Sequence, residues 1–221
     1  MFSGTNFGDQ LSKKGTTTTG LVVKDGVALA TDTRATAGYY IAHRKCKKLF
    51  PLADYAAITI AGRVADAQNL IDYLRANVRY YSLAWKRPMN LAAIARLAAN
   101  LMFRWRGIFP YEAQLIIAGV DSQGPHIFNV DLYGTLTEEK IMSTGSGSPI
   151  AYGILESEYR EDMSVEEAAK LVFKAVAMAI QRDIGSGDSI DVAYVKVGGK
   201  YTELTLEEKK PLYAQYVKTV Y

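Results

Sequence analysis

Cysteine and histidine are nearly missing from this chain, and their scarcity closes off much chemistry. Cys46 is the single cysteine, and His43 and His126 are the only histidines among 221 residues. An internal disulfide is impossible, which fits a reducing compartment. No Cys/His pair has metal-ligand spacing, so neither a metal nor a cofactor is expected. A serine-protease triad would need one of the two histidines, and neither has a nucleophile-elbow motif beside it. Long apolar runs are lacking too. The most apolar stretch, Leu91 to Phe103, is interrupted by Arg96 and Asn100 and is too short to span a bilayer. Charge of one sign is only slightly in excess. The net charge is +3, and the densest basic cluster, Arg44 to Lys48, is short and isolated. It leaves little footprint for nucleic acid. What remains is the composition of an ordinary globular protein, 49% apolar and 22% charged, with a length that suits one large domain.

Met1 to Gly15 is polar, rich in Gly, Ser and Lys, and has no apolar core of a signal peptide. Packed, it would bury almost nothing, so it is expected to be flexible or removable. After Gly15 the pattern changes. Thr17 to Lys24 is rich in β-branched residues and reads as a strand, Asp25-Gly26 as a turn, and Val27 to Thr33 as a returning strand buried on both faces. Further strands are expected near Gly38–Arg44 and Tyr55–Ala61. Gly62 then opens a helix with an apolar stripe of Val64, Ala67, Ile71, Leu74 and Val78. A second helix is expected over Asn90–Arg106, then strands at Gln114–Val120, His126–Leu132 and near Glu138–Ser143. A third helix is expected near Ile150–Tyr159. A fourth begins at the capping box Ser164-Val-Glu-Glu167. Ser189–Val197 and Lys200–Leu204 read as a last hairpin, and Glu207 to Tyr221 as a short helix or a contact arm. Strands, helix pair, strands, helix pair, strands is an α+β order. It implies two stacked antiparallel sheets between two helix layers.

Several local patterns have bland explanations. His43 and Cys46, three apart on an expected strand, point to opposite faces and read as structural. Thr144-Gly-Ser-Gly-Ser148 could cradle a phosphate, but it lacks the lysine of a P-loop and the third glycine of a dinucleotide fingerprint. A tight strand-to-helix turn is the simpler reading. The Thr16–Thr19 run could be only a strand start. Yet a glycine precedes it, a disposable segment lies upstream, and Asp32, Arg34 and Lys48 follow apolar strands where polar residues are unexpected. A hydroxyl nucleophile without histidine needs another base. A freed terminal α-amine, with a pKa near about 7.7–8.0, can serve at neutral pH. A lysine beside the hydroxyl favours the alkoxide, and a carboxylate holds that lysine charged.

These residues have a precedent. From Gly15 onward the chain resembles the archaeal-type 20S proteasome β subunit, an N-terminal-threonine nucleophile hydrolase. The segments that carry the resemblance are Gly15-Thr-Thr-Thr18, Ala30-Thr-Asp-Thr-Arg34, Lys47-Lys48, Ile60-Ala-Gly62, Asp66-Ala-Gln68, Ser143-Thr-Gly-Ser-Gly-Ser-Pro149, Tyr152-Gly-Ile-Leu-Glu156, Gln181-Arg-Asp183 and Gly185-Ser-Gly187. Each alone is weak; their order and spacing together are specific. The resemblance implies a four-layer αββα sandwich of two antiparallel sheets flanked by helix pairs, the N-terminal nucleophile hydrolase fold. It implies a propeptide, residues 1–15, removed by self-cleavage at Gly15–Thr16, and a catalytic domain over residues 16–221. Thr16 then matches the nucleophile, Lys48 the tuning lysine, Asp32 its carboxylate partner and Gly62 the oxyanion donor. Ser146, Asp183 and Ser186 match the network that orients the terminal amine. Ala35, Cys46, Phe50, Ile60, Val64 and Gln68 match the primary specificity pocket; none is acidic, which implies cleavage after apolar residues.

The implied partners are a proteasome α-subunit ring and other β subunits, in a stack of four seven-membered rings. An ATPase ring would feed it unfolded polypeptide, in the cytoplasm and with no cofactor. One position departs from the pattern: where the family usually reads Ser-Gly-Gly, this chain has Ser186-Gly187-Asp188. The alternative within the same particle is a structural or modulatory β subunit that cuts poorly. A more distant one is an N-terminal nucleophile amidohydrolase acting on a small molecule.

Overall fold

A computed structural model describes residues 15–105, 107 and 111–217, with the side chains of residues 64–67 and 105 outside the description. Met1 to Lys14, most of the expected propeptide, therefore lies outside the described residues. Strand β1, Thr18–Val23, turns through Lys24-Asp25 into β2, Gly26–Asp32. The turn falls one residue earlier than the Asp-Gly signal implied. Gly26 is already paired with Val23, and it is small for another reason: a Cβ there would come 2.4 Å from the Val195 carbonyl oxygen. Close approach of a neighbouring strand, not turn geometry, requires this glycine. All of β2 is buried, as its apolar run demands.

Strands β1 and β2 belong to a five-stranded sheet with β10 (Ile141–Thr144), β11 (Ile190–Lys196) and β12 (Tyr201–Glu203), in the order β10-β1-β2-β11-β12. A second five-stranded sheet runs β5 (Leu49–Ala53), β6 (Ala56–Gly62), β7 (Ala113–Asp121), β8 (Gly124–Val130) and β9 (Leu136–Glu138), in chain order. Every pairing in both is antiparallel.

Three sequence expectations need correction. Gly38–Arg44 is not one strand but the second half of a hairpin, β3 (Ala35–Ala37) and β4 (Tyr40–His43), which turns where Gly38 adopts φ +60°. Cys46 lies beyond β4, so it and His43 do not share a strand. β5 was hidden by Pro51, which has no N–H to donate. It is tolerated because β5 is the edge of its sheet. The expected strand Glu138–Ser143 is two strands, with the chain passing from β9 in one sheet to β10 in the other.

Five helices complete the described fold: α1 (Val64–Trp85), α2 (Leu91–Trp105), α3 (Ser148–Glu158), α4 (Val165–Ile180) and α5 (Leu206–Tyr216). The Ser164/Glu167 capping box of α4 forms as expected. The tail is the helix of the two options offered: Thr205 and Glu208 make a second capping box at the start of α5. One buried cluster joins α1 and α2 to the β5–β9 sheet through Ile58, Leu74, Leu91, Ile94 and Ile117. Another joins α3, α4 and α5 to the opposite sheet through Leu21, Ala30, Leu155, Phe173 and Leu212. A third lies between the sheets, where Val27, Leu29, Leu49, Ile116 and Ile127 meet. The alternation of β2 explains its double burial: Ala28 and Ala30 face helices, while Val27 and Leu29 face the other sheet.

Candidate active site

Strand register gathers the polar residues at one end of the first sheet. Thr18 opposes both Thr144 and Thr31, and Ile190 opposes Asp32, so the segments leading into β1 and β11 and out of β2 and β10 converge there. Thr16 sits two residues before β1 and is 4% exposed. Lys48 immediately precedes β5, Gly62 ends β6, Ser146 lies between β10 and α3, and Asp183 and Ser186 lie between α4 and β11.

The Thr16 hydroxyl accepts a hydrogen bond from Lys48 Nζ at 2.8 Å and donates to the Gly15 carbonyl oxygen at 2.6 Å. Lys48 Nζ also donates to Asp32 Oδ1 at 2.7 Å, and both side chains of this ion pair are buried. Three backbone amides complete the carboxylate: Thr17 N–H on Oδ1, and Arg34 N–H and Gly187 N–H on Oδ2, each at 3.0 Å. Burial is the largest influence on both partners. It pushes the Asp32 carboxyl up and the Lys48 ammonium down, while their mutual attraction opposes both movements. Four N–H donors on two oxygens favour the ionised carboxylate, so the pair keeps a fixed charge beside the Thr16 hydroxyl.

A second network holds the nitrogen. Thr16 N–H donates to Ser146 Oγ at 3.2 Å, and Ser146 Oγ donates to Asp183 Oδ2 at 2.6 Å. Ser186 Oγ donates to the same Asp183 oxygen at 2.6 Å and lies 2.6 Å from Thr17 Oγ1. Since Ser186 spends its proton on Asp183, Thr17 is the donor in that last contact. Thr17 was read only as strand; its value as a site residue comes from a fully buried hydroxyl, which spacing alone does not reveal.

Gly62 has φ +132°, and a Cβ on it would lie 2.1 Å from the Glu112 carbonyl oxygen, so glycine is required. It lies beside Thr16 between two cavities that share both residues. The smaller, about 240 Å³, is lined by Gly15, Arg34, Ala35, Thr36, His43 and Lys48 among others. The larger, about 470 Å³, is lined by Tyr111, Leu132, Tyr133 and Gly145 among others. Of the six expected pocket residues, Ala35 lines the smaller cavity. Cys46 is half-buried, its N–H bonded to the Thr33 carbonyl at 2.8 Å and its thiol pushed up by burial. Phe50 is half-buried, with the Arg75 guanidinium 5.7 Å from its ring centre. Ile60 packs into the helix–sheet core and Gln68 is exposed on α1. The Val64 side chain lies outside the described residues. Among the described residues, no three of His, Cys, Asp or Glu form a metal-ligand group, and no helix is long and apolar enough to cross a membrane.

Antiparallel sheets packed with helices, and a threonine leading into an inner strand with its hydroxyl on a lysine, fit the N-terminal nucleophile hydrolase fold. Sequence comparison narrows the class. The family model described as "Proteasome subunit" matches residues 12–195. "Proteasome subunit beta 2" of Aeropyrum pernix is 47% identical over 193 residues, 87% of each chain. "Proteasome subunit beta" of Ferroglobus placidus is 48% identical over 197 residues, 88% of this chain and 92% of its own. "Proteasome subunit beta 2" of Nitrosopumilus maritimus is 44% identical over 196 residues, 89% and 92%. The chain belongs to the proteasome subunit family, on its β-subunit side.

Proposed function

We propose that this β subunit is a threonine endopeptidase that hydrolyses peptide bonds of unfolded polypeptide through an acyl-enzyme ester on Thr16. The observation that carries the reading is the position of the Thr16 hydroxyl, between Lys48 Nζ at 2.8 Å and the Gly15 carbonyl oxygen at 2.6 Å. In the precursor, Thr16 Oγ attacks the Gly15 carbonyl carbon. The C–N bond breaks, the proton that the Thr16 hydroxyl gives up ends on the leaving nitrogen, which Ser146 holds, and an ester remains. Water cleaves it, releasing residues 1–15 as propeptide and leaving residues 16–221 as the catalytic domain.

In the mature enzyme the freed α-amine takes the hydroxyl proton as Thr16 attacks a substrate carbonyl. Lys48, kept charged by Asp32, stabilises the developing alkoxide, and the backbone N–H of Gly62 stabilises the oxyanion. Ser146, Asp183 and Ser186 orient the amine. Ala35, Cys46, Phe50, Ile60, Val64 and Gln68 form the specificity pocket, which takes apolar side chains before the cut.

The three buried clusters support a four-layer αββα sandwich. Membership of the family implies assembly into the proteasome particle with α subunits. We propose seven-membered rings, an ATPase ring that delivers substrate, and a cytoplasmic location. Intact mass and a fluorogenic peptide panel on particles co-assembled with the α partner test the reading. An N-terminus at Thr16 with hydrolysis after leucine or tyrosine supports it. A retained Met1 start without hydrolysis favours a structural subunit, and preference for arginine over leucine and tyrosine overturns the pocket assignment.

A further inference from the structure

Asp188 adopts a backbone conformation that favours glycine: φ is +69°. Asp tolerates this left-handed region better than most residues, at a modest cost that something must offset. Both of its oxygens are occupied. Oδ2 accepts from Arg34 Nε at 2.9 Å and Oδ1 from Arg44 Nη1 at 2.6 Å, with the Asp188 side chain 12% exposed. Partial burial pushes the Asp188 carboxyl up, but the two guanidinium groups outweigh it and hold the carboxyl below the usual range. Arg34 also donates from Nη1 to the Ile184 carbonyl at 3.1 Å. Its guanidinium lies flat against Gly187, where a Cβ would come within 2.1 Å of Cζ. One arginine thus binds both ends of the segment from Ile184 to Asp188.

That segment touches Asp32. Gly187 N–H and Arg34 N–H are the two donors on Asp32 Oδ2, while Lys48 and Thr17 occupy Oδ1. The carboxylate is therefore held on one oxygen by residues that Asp188 braces and presents the other to Lys48. We propose that Asp188 is a positioning residue: with Arg34 and Arg44 it clamps the Ile184–Asp188 segment so that Asp32, and through it Lys48, is fixed beside Thr16. Asp188 is then a brace for the site. The inference rests on the proposed roles of Lys48 and Thr16.

The test compares Asp188→Gly and Asp188→Asn with the unaltered full-length chain, each co-assembled with its α partner. Both replacements tolerate the left-handed backbone, so assembly and melting temperature are expected to change little. For Asp188→Gly, kcat falls about tenfold with KM within about twofold, as a displaced catalytic group requires. Asp188→Asn, which keeps one acceptor, lies between. A loosened Asp32 also supports the Lys48 charge less, so the alkaline limb of the rate profile moves to lower pH. The titratable groups facing Lys48 include Asp32, Cys46 and Asp183, with the freed Thr16 α-amine added in the mature chain, and neither variant alters them.

A second readout is independent of activity. In Thr16→Ala particles carrying carbon-13-labelled lysine, NMR titration of Lys48 Cε is expected to shift downward with Asp188→Gly. An unmoved Lys48 titration overturns the inference whether or not the chain cuts peptides. Absence of peptidase activity in the unaltered particle, with Lys48 still shifted, sinks the catalytic reading and leaves the clamp standing.

Discussion

Two hydrogen-bond systems converge on Thr16, and they are built differently. The one at its hydroxyl is charged and buried: Lys48 and Asp32 expose 3% and 0% of their side chains and are bonded directly. The one at its nitrogen, through Ser146, Asp183, Ser186 and Thr17, contains one carboxylate and three hydroxyls and reaches into partly exposed surroundings. A buried ion pair is a strong field that cannot be rearranged cheaply, which suits a group whose task is to stabilise charge on one oxygen. A hydroxyl chain is a weaker field that can reorient its protons. Under the proposed self-cleavage, that suits a nitrogen which is an amide before the cut and an amine after it. In the proposed mechanism the hydroxyl side tunes reactivity and the nitrogen side holds a group through a change of identity.

The comparison breaks most completely at Thr16 itself. Thr16→Ala is expected to keep the full-length chain and reduce peptide hydrolysis to background, read by intact mass and fluorogenic assay. Normal trimming in that variant would mean that another protease performs the cut. On the charged side, Lys48→Ala is expected to fold but to lose at least about a thousandfold in kcat, since it removes both the field and the nucleophile's partner. It also strands Asp32 in the core, at about 3–5 kcal/mol. Adding Asp32→Asn should recover much of that stability in chemical unfolding and none of the activity. A double variant no more stable than Lys48→Ala would show that the loss does not come from the stranded charge.

The charged side also has a pH signature. Lys48 donates to Thr16 as the ammonium, and burial lowers it from the ordinary 10.5. Activity should therefore fall at an alkaline pH below 10.5, and Lys48→Arg should remove that limb even if its rate is lower. Stability moves the other way. Between the folded value and 10.5 the unfolded chain binds more protons at this site, so folding gains as pH rises. Unfolding free energies of the two chains across this window should diverge in that sense. On the nitrogen side, Ser146→Ala leaves the ion pair intact and should cost about ten- to a hundredfold in kcat.

The charged side was the more legible one in the sequence. Asp32 betrays itself because a polar residue at the end of a fully buried strand is rare without a partner; Lys48 is less plain, since β5, which it precedes, is only partly buried. β2, the α4 capping box and the final hairpin were equally plain. Thr17 was not, because a threonine at a strand start is favoured for its β-branch alone. β5 was concealed by Pro51, whose edge position only pairing reveals. The passage from β9 to β10 was unreadable because a strand that changes sheets keeps its period. The α5 capping box, by contrast, was written in Thr205 and Glu208 with the same spacing as Ser164 and Glu167.

The smallest expected effect on peptide hydrolysis separates holding from tuning most sharply. Gly15 and Gly185 lie back to back: a Cβ on Gly15 would sit 1.9 Å from Gly185 Cα, and one on Gly185 would sit 2.2 Å from Gly15 Cα. The contact exists only while Gly15 is attached, and Gly185 bonds its own N–H to Asp183 Oδ1 at 3.2 Å, on the nitrogen side of the site. Gly185→Ala must push Gly15 away from the Thr16 hydroxyl, so self-cleavage should slow at least about tenfold in a time course of intact mass. Once Gly15 has left, the three atoms nearest to the added methyl have gone with it. A Gly185→Ala chain produced with Thr16 already at its N-terminus should hydrolyse peptides within about twofold of the unaltered mature chain. If both processing and hydrolysis fall together, Gly185 supports Asp183 in every state and the two tasks are not separable. If only processing falls, the fit to glycine before the cut is built by this one backbone contact, and the mature site is free of it.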